Sequence, residues 1–247
     1  MKLQFTGRHA LVLGGSSDLG LELARLLIQE DLIPLLTFRS KAGETRIHER
    51  LAQYEGRYQT AYLDFSRMES IQSLFDKVNR NLDFLVDFIH GNLEGLVGSV
   101  DTRDAVAYFA ENVSARAEVI KRAGRAMLGG KKGRMIFISS IAAEKPNPGQ
   151  GFYAASKLAS EALYRNMGLE LGERGISAVI LRPGYIDAGR GKRYLDSREP
   201  LPSGPKDRMK VLTVKEMAET ILFFLSDQAG GFTTTTITMG GSWKKLE

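Results

Sequence analysis

The feature that most constrains this chain is an alternation between short apolar runs and longer amphipathic stretches. The runs are ALVLGG from Ala10, IPLLTF from Ile33, YQTAYLDF from Tyr58, DFLVDFI from Asp83, RMIFISS from Arg134, SAVILRP from Ser177 and TTTTITM from Thr233. Between them, apolar residues recur at helical spacing over 19–30, 43–54, 68–81, 104–128, 153–173 and 214–226. Continuous apolar strands, each followed by a helix, predict a parallel sheet covered on both faces, because right-handed crossovers lay a helix over each strand pair. The expected fold is α/β: a doubly wound, Rossmann-type, mostly parallel seven-stranded sheet with helices on both faces. At 247 residues and 43% hydrophobic content, the chain can bury one such core, so 1–247 is read as a single dinucleotide-binding and catalytic domain.

Two pairs, Ser66 with Glu69 and Thr213 with Glu216, have capping-box spacing and mark helix starts. The segment from Gly184 to Pro205, GYIDAGRGKRYLDSREPLPSGP, lacks periodicity and follows a strand end, where ligands sit in such sheets. Residues 184–210 are therefore read as a substrate loop or lid; the alternative is an insertion without that role. No apolar run reaches the roughly 18 residues of a membrane span and the first residues lack a signal-peptide pattern, so a cytoplasmic location is expected. The chain has no cysteine, and His9, His48 and His90 show no ligand spacing, so no metal site is expected. A net charge of +5 is compatible with an anionic partner. No nucleic-acid recognition module accompanies it.

LVLGGSSDLG, residues 11–20, joins a strand to a helix through Gly14, Gly15 and Gly20. Gly14 permits a tight turn, Gly20 permits close helix–strand packing, and the helix amides attract a pyrophosphate. Asp18 stands where a glycine is expected. A carboxylate at a helix start can cap its own amides, so Asp18 is expected to be the N-terminal cap, pointing away from the cofactor. After the second strand, where an acid would hold an NAD ribose, stand Arg39 and Ser40. A guanidinium and a hydroxyl suit a 2′-phosphate, which predicts NADP(H).

Tyr153 and Lys157 lie one helical turn apart on one face. A cation beside a phenol favours phenolate and lets the pair exchange a proton. Ser140 ends the strand before them, and Asn112 lies in the preceding long helix. With these residues the sequence resembles the short-chain dehydrogenase/reductase family, and is similar to its 3-oxoacyl-[acyl-carrier-protein] reductases. The likeness runs from about Gly7 to Gly241 through the glycine turn, Asp64, Asn112-Val113, Ser139-Ser140, Gly149-Gln150, Arg182-Pro183-Gly184 and Met239-Gly240-Gly241.

The resemblance implies that Tyr153 protonates a carbonyl oxygen as hydride arrives from C4 of nicotinamide, and that Ser140 orients that carbonyl. It implies that Lys157 holds the nicotinamide ribose and tunes Tyr153, and that Asn112 holds a water in the proton path to Lys157. For Asn112 and Ser140 the alternative is a capping or turn role. The implied cofactor set is Gly14, Ser16, Ser17, Asp18, Leu19 and Gly20 at the turn, and Arg39, Ser40, Asp64 and Phe65 at the adenosine end. It continues with His90, Gly91, Tyr153, Lys157, Pro183, Gly184 and Ile186. Two departures stand out: Asp87-Phe88-Ile89-His90 replaces the family's Asn-Asn-Ala-Gly, and Ala188 replaces a threonine that commonly bonds the nicotinamide amide or a phosphate. His90 is expected either to contact ribose or substrate, or simply to pack.

The function implied is an NADPH-dependent reduction of a β-ketoacyl thioester on an acyl carrier protein, in fatty-acid or polyketide synthesis. Lys131, Lys132 and Arg134 are the expected docking charges for that acidic carrier. The alternatives are a reductase of free small-molecule ketones or alcohols and, from another class, a non-catalytic nucleotide-binding sensor. The resemblance also implies a homotetramer or dimer built on helices around 111–128 and 154–171.

Overall fold

Residues 2–78, 82–196 and 209–242 are described by the structure, a computed structural model. The first half alternates β1 (His9–Leu13), α1 (Asp18–Gln29), β2 (Ile33–Phe38), α2 (Lys41–Arg50), β3 (Gln59–Tyr62), α3 (Met68–Val78) and β4 (Phe84–Asp87). The second half continues with α4 (Thr102–Phe109), α5 (Arg116–Leu128), β5 (Gly133–Ile138), α6 (Gly151–Leu171), β6 (Ile176–Pro183) and α7 (Gly189–Asp196). It closes with β7 (Met209–Lys210), α8 (Val214–Leu225), β8 (Thr234–Met239) and β9 (Gly241–Ser242). Seven strands form one parallel sheet in the order β3-β2-β1-β4-β5-β6-β8. This is the expected doubly wound domain. The order reverses between β1 and β4, which opens a crevice at the carboxyl ends of those strands.

The period-2 alternation of each strand splits the core into two layers. Ala10 and Val12 pack with Leu36, Val86 and Ile136 beneath α1 and α8, whereas Leu11 and Leu13 pack with Leu85, Met135 and Phe137 beneath α3, α5 and α6. The threonine-rich β8 lies at the sheet edge and stays half-buried, as a strand with one neighbour can. No helix among the described residues is long and apolar enough to cross a membrane.

Several expectations are corrected in detail. The helix expected over 104–128 is interrupted by a π turn at Ala110–Ala115, which displaces Asn112 from the regular ladder. The stretch 43–54 forms α2 and then a separate 3-10 turn at Ala52–Tyr54. Thr213 and Glu216 form their capping box, but Ser66 does not cap α3: the helix starts at Met68, and the Ser66 hydroxyl donates to Asp64 at 2.8 Å. The segment 184–210 is not one loop. It contains α7, and β7 pairs antiparallel with β9; 197–208 lie outside the described residues, as do 79–81.

Candidate active site

The glycine turn between β1 and α1 is built by short-range hydrogen bonds. Gly14 takes φ +80°, open to glycine at little cost, and its amide donates to Thr37 Oγ1 at 2.9 Å. Ser17, not Asp18, is the N-cap: its Oγ accepts from the Gly20 amide at 3.0 Å and donates to the Gly14 carbonyl at 2.8 Å. Asp18 is the first residue of the helix proper, and its carboxylate is ion-paired to Arg46 of α2. The capping role expected for Asp18 is thereby corrected, because the backbone is extended at Ser17 and already helical at Asp18, which puts the cap one residue earlier. A Cβ on Gly20 would stand 2.6 Å from the Gly14 carbonyl oxygen, so only glycine lets α1 approach the turn.

Ser17, Asp18 and Leu19 line one end of a cavity of about 550 Å³. Its middle is lined by His90, Ser140, Tyr153 and Lys157, and its β6 wall by Pro183, Gly184 and Ile186. A second cavity, of about 170 Å³, adjoins at the adenosine end: Gly14, Ser16, Arg39, Phe65, Gly91 and Asn112 line it, and His90 borders both. A carboxylate at the turn would repel a pyrophosphate, but Asp18 arrives paired with a guanidinium. Amide-rich turn, helix positive end and neutralised acid together fit a dinucleotide.

Three residues of the expected cofactor set support the cavities without lining them. Gly20 packs under the turn, and Ser40 caps α2 by accepting from the Gly43 amide at 3.2 Å. Asp64 lies 3.4 Å from Arg39 and accepts from the Ser66 amide and hydroxyl. Burial pushes the Asp64 carboxyl up, but the two Ser66 bonds and the Arg39 charge outweigh it and hold it below the ordinary aspartate range.

The catalytic candidates converge where β5 ends and α6 begins. Ser140 caps the 3-10 turn Ile141–Ala143 by accepting from the Ala142 amide at 3.1 Å, which leaves its hydroxyl hydrogen for a ligand. Lys157 is buried, donates to the Ile138 carbonyl at 2.7 Å, and sits 5.9 Å from the centre of the Tyr153 ring. The half-buried Tyr153 and Ser140 face the same cavity. The family model described as short chain dehydrogenase matches residues 8–199.

The chain belongs to the short-chain dehydrogenase family.

It is accordingly an oxidoreductase that uses a nicotinamide cofactor and acts on the alcohol/carbonyl couple. Its curated relatives include the 3-oxoacyl-[acyl-carrier-protein] reductase FabG of Escherichia coli strain K12, 26% identical over 245 residues, which cover 97% of this chain and 98% of the relative. The enzyme of the same name from Haemophilus influenzae is 25% identical over 241 residues, covering 95% and 97%. A solved short chain dehydrogenase/reductase family protein superimposes with a TM-score of 0.83 at 26% identity, covering 97% of each chain.

Against that family pattern, the substituted segment after β4 has its own support. Asp87 is fully buried and accepts from Arg116 Nε at 2.7 Å, from the Tyr164 hydroxyl at 2.9 Å and from the Ile89 amide at 2.9 Å. Burial, and then the Asp87 charge, push the Tyr164 phenol well above its ordinary value, so it stays a neutral donor. The Arg116 guanidinium, also fully buried, donates onward to Ser160 at 3.0 Å and to the carbonyls of Asn112 and Ile89. One ion pair thus ties β4, the π turn and α6 together.

In this short-chain dehydrogenase Asn112 is held by four protein contacts. Its side chain accepts from the Gly91 amide at 2.7 Å and donates to the Tyr108 carbonyl at 2.9 Å, while its own carbonyl accepts from Arg116 and from Ser160 at 3.2 Å. The Ser160 hydroxyl also reaches the Ser156 carbonyl at 2.8 Å, so its one hydrogen is shared between the two carbonyls. His90 Nε2 lies 3.0 Å from Ser156 Oγ and 3.1 Å from the Tyr108 hydroxyl, and its ring meets the Tyr153 ring edge-on at 5.2 Å. Sequence reasoning missed Arg46, Tyr108, Arg116 and Ser156. The available signal was Asp87: a charge inside an apolar strand demands a partner.

The docking charges expected for a carrier are Lys131, Lys132 and Arg134. They lie at the start of β5, whereas the cavity opens at its other end, about 20 Å away at ~3.3 Å per residue. Two of the three already serve the fold: Arg134 donates to the carbonyls of Phe224 and Ala229, and Lys132 to that of Thr6.

Proposed function

We propose that this chain is an NADPH-dependent ketoreductase acting on a β-ketoacyl thioester presented by an acyl carrier protein. The observation that carries the reading is one cavity that runs from the phosphate-binding turn to Ser140, Tyr153 and Lys157. When bound, a nicotinamide cofactor would supply the hydride for the carbonyl carbon. Tyr153 gives its hydroxyl proton to the carbonyl oxygen, and Ser140 donates a hydrogen bond to that oxygen, so the charge developing there is neutralised as it forms. The Lys157 ammonium, next to the Tyr153 ring, stabilises the phenolate left behind and holds the nicotinamide ribose.

The adenosine end supports NADPH. Arg39 is exposed beyond its contact with Asp64, and Ser40, which accepts in its cap, keeps a hydroxyl hydrogen to donate; both suit a 2′-phosphate. Leu158 and Leu169 stand exposed on α6, which supports a homo-oligomer built on the helices around 111–128 and 154–171. The second reading, reduction of free small-molecule ketones, gains from the remoteness of Lys131, Lys132 and Arg134 from the cavity.

A panel of ketones followed by NADPH and NADH oxidation tests both. The first reading expects kcat/KM at least tenfold higher for an acetoacetyl thioester on acyl carrier protein than for a free β-keto ester, and higher with NADPH. Equal rates irrespective of the carrier would favour the second, and no oxidation with any ketone would overturn both.

A further inference from the structure

The outer half of the large cavity is unlike its catalytic floor. Tyr185, just past β6, and Tyr194, on α7, stack with ring centroids 5.2 Å apart and planes 6° from parallel, and both face the cavity. Two exposed cations line the same cavity, Lys145 from the loop before α6 and Arg193 from α7, one residue before Tyr194. Their sequence neighbours are matched: Glu144 pairs with Arg182 at 3.0 Å, and Lys192 with Asp187 at 3.6 Å. Among the described residues, Lys145 and Arg193 pair with no carboxylate. Elsewhere in the cavity Asp18 is taken by Arg46, and the remaining lining acid, Glu94, is paired with neither cation. The lining therefore carries a net positive charge, Arg46, Lys145, Lys157 and Arg193 against Asp18 and Glu94, and its two exposed cations lie away from the buried Lys157.

We infer that the ketone reduced here carries an oxyanion, a phosphate or a carboxylate, which seats between Lys145 and Arg193 while its chain lies along the Tyr185–Tyr194 stack toward Tyr153. The inference rests on the ketoreductase reading. Two sources supply such an anion: the phosphate of a phosphopantetheinyl arm, or an acid group on a small free ketone. Lys145 and Arg193 select the substrate by charge. They take no part in proton transfer.

Two matched substrate pairs separate the sources. Acetoacetyl-4′-phosphopantetheine is compared with acetoacetyl-pantetheine, and 5-oxohexanoate with its methyl ester, each with the wild-type protein and with the Lys145→Ala/Arg193→Ala variant. In at least one pair the wild type is expected to favour the anionic member about tenfold in kcat/KM, and the double variant to bring that ratio to about one. Lys145→Arg should retain it. A preference in the first pair assigns the arm phosphate, and in the second an acid on the ketone itself. Ratios below about two in both pairs, or a preference that survives the double variant, would overturn the inference and leave the ketoreductase reading standing. If none of these ketones is reduced, calorimetric titration of phosphopantetheine and of 5-oxohexanoate decides independently of turnover: binding lost in the double variant supports the anion seat, and no binding to the wild type ends it.

Discussion

Replacing Arg116 by methionine should destabilise this protein more than any surface change, and the structure sets the size. The guanidinium and the Asp87 carboxylate are both fully buried and meet at 2.7 Å. Methionine fills much of the volume, but it leaves Asp87 charged in the core with only the Tyr164 hydroxyl and the Ile89 amide as donors. Removing one partner of a buried pair costs about 3–5 kcal/mol, most of it the solvation the remaining ion no longer has. The Asn112 and Ile89 carbonyls lose a donor as well, at about 1 kcal/mol or more each, although these losses overlap. A net loss of about 4 kcal/mol follows, a large share of the 5–15 kcal/mol typical of a domain. With an m value of about 3 kcal/mol per molar urea, the unfolding midpoint should fall by about 1.3 M.

The control is Asp87→Asn/Arg116→Met, which removes the orphaned charge, keeps the Oδ1 acceptor for the Ile89 amide and turns an amide N–H toward the Tyr164 oxygen, which can accept it. It should lie only about 2 kcal/mol below wild type, above the single variant despite carrying one more substitution. Urea unfolding of the three proteins, followed by circular dichroism, measures this. If Arg116→Met lies within 1 kcal/mol of wild type, or if the double variant is no more stable than the single, the ion pair does not organise this region as described.

Three other outcomes are expected. Tyr153→Phe removes the proton donor and should lower kcat by about 10²–10⁴, while NADPH binding measured by fluorescence stays within a few-fold. Gly20→Ala places a methyl 2.6 Å from the Gly14 carbonyl oxygen and 2.8 Å from Gly15 Cα, so it should weaken cofactor binding by more than tenfold and lower the melting temperature. Because the folded-state pKa of Asp64 is depressed, its contribution is complete above the unfolded value of about 3.9 and fades as pH falls through the lower folded one. Asp64→Asn should therefore be less stable than wild type at pH 7, and the two urea midpoints should converge at strongly acid pH.

What was legible in the sequence was what local periodicity and short-range geometry control. Apolar runs and amphipathic spacing identified the strand and helix order, since side-chain period is a property of a few consecutive residues. Gly14, Gly20 and the Tyr153–Lys157 face were equally readable, because a tight turn and one helical turn of spacing depend on neighbours alone. The cap was misassigned to Asp18 because both Ser17 and Asp18 are good cap residues, and one residue of register decides between them.

Only the tertiary structure decided which charges meet and which end of the sheet they occupy. Asp18 and Arg46 are 28 positions apart, Asp87 and Arg116 29, and each pair is joined by crossovers whose packing no local pattern encodes. The π turn at Asn112 is held by donors from Arg116 and Ser160 to its carbonyl, and Ser160 is in reach only when α6 is in place. Lys131, Lys132 and Arg134 looked in sequence like a docking patch, whereas Arg193 stood in a second basic group with no assigned role and Lys145 looked like scattered surface charge. The fold reverses their meaning by placing the first group at the amino end of β5 and Lys145 and Arg193 on the lining of the cavity. Charge is written in the sequence, but what a charge does depends on burial and on partners, and both are products of long-range packing.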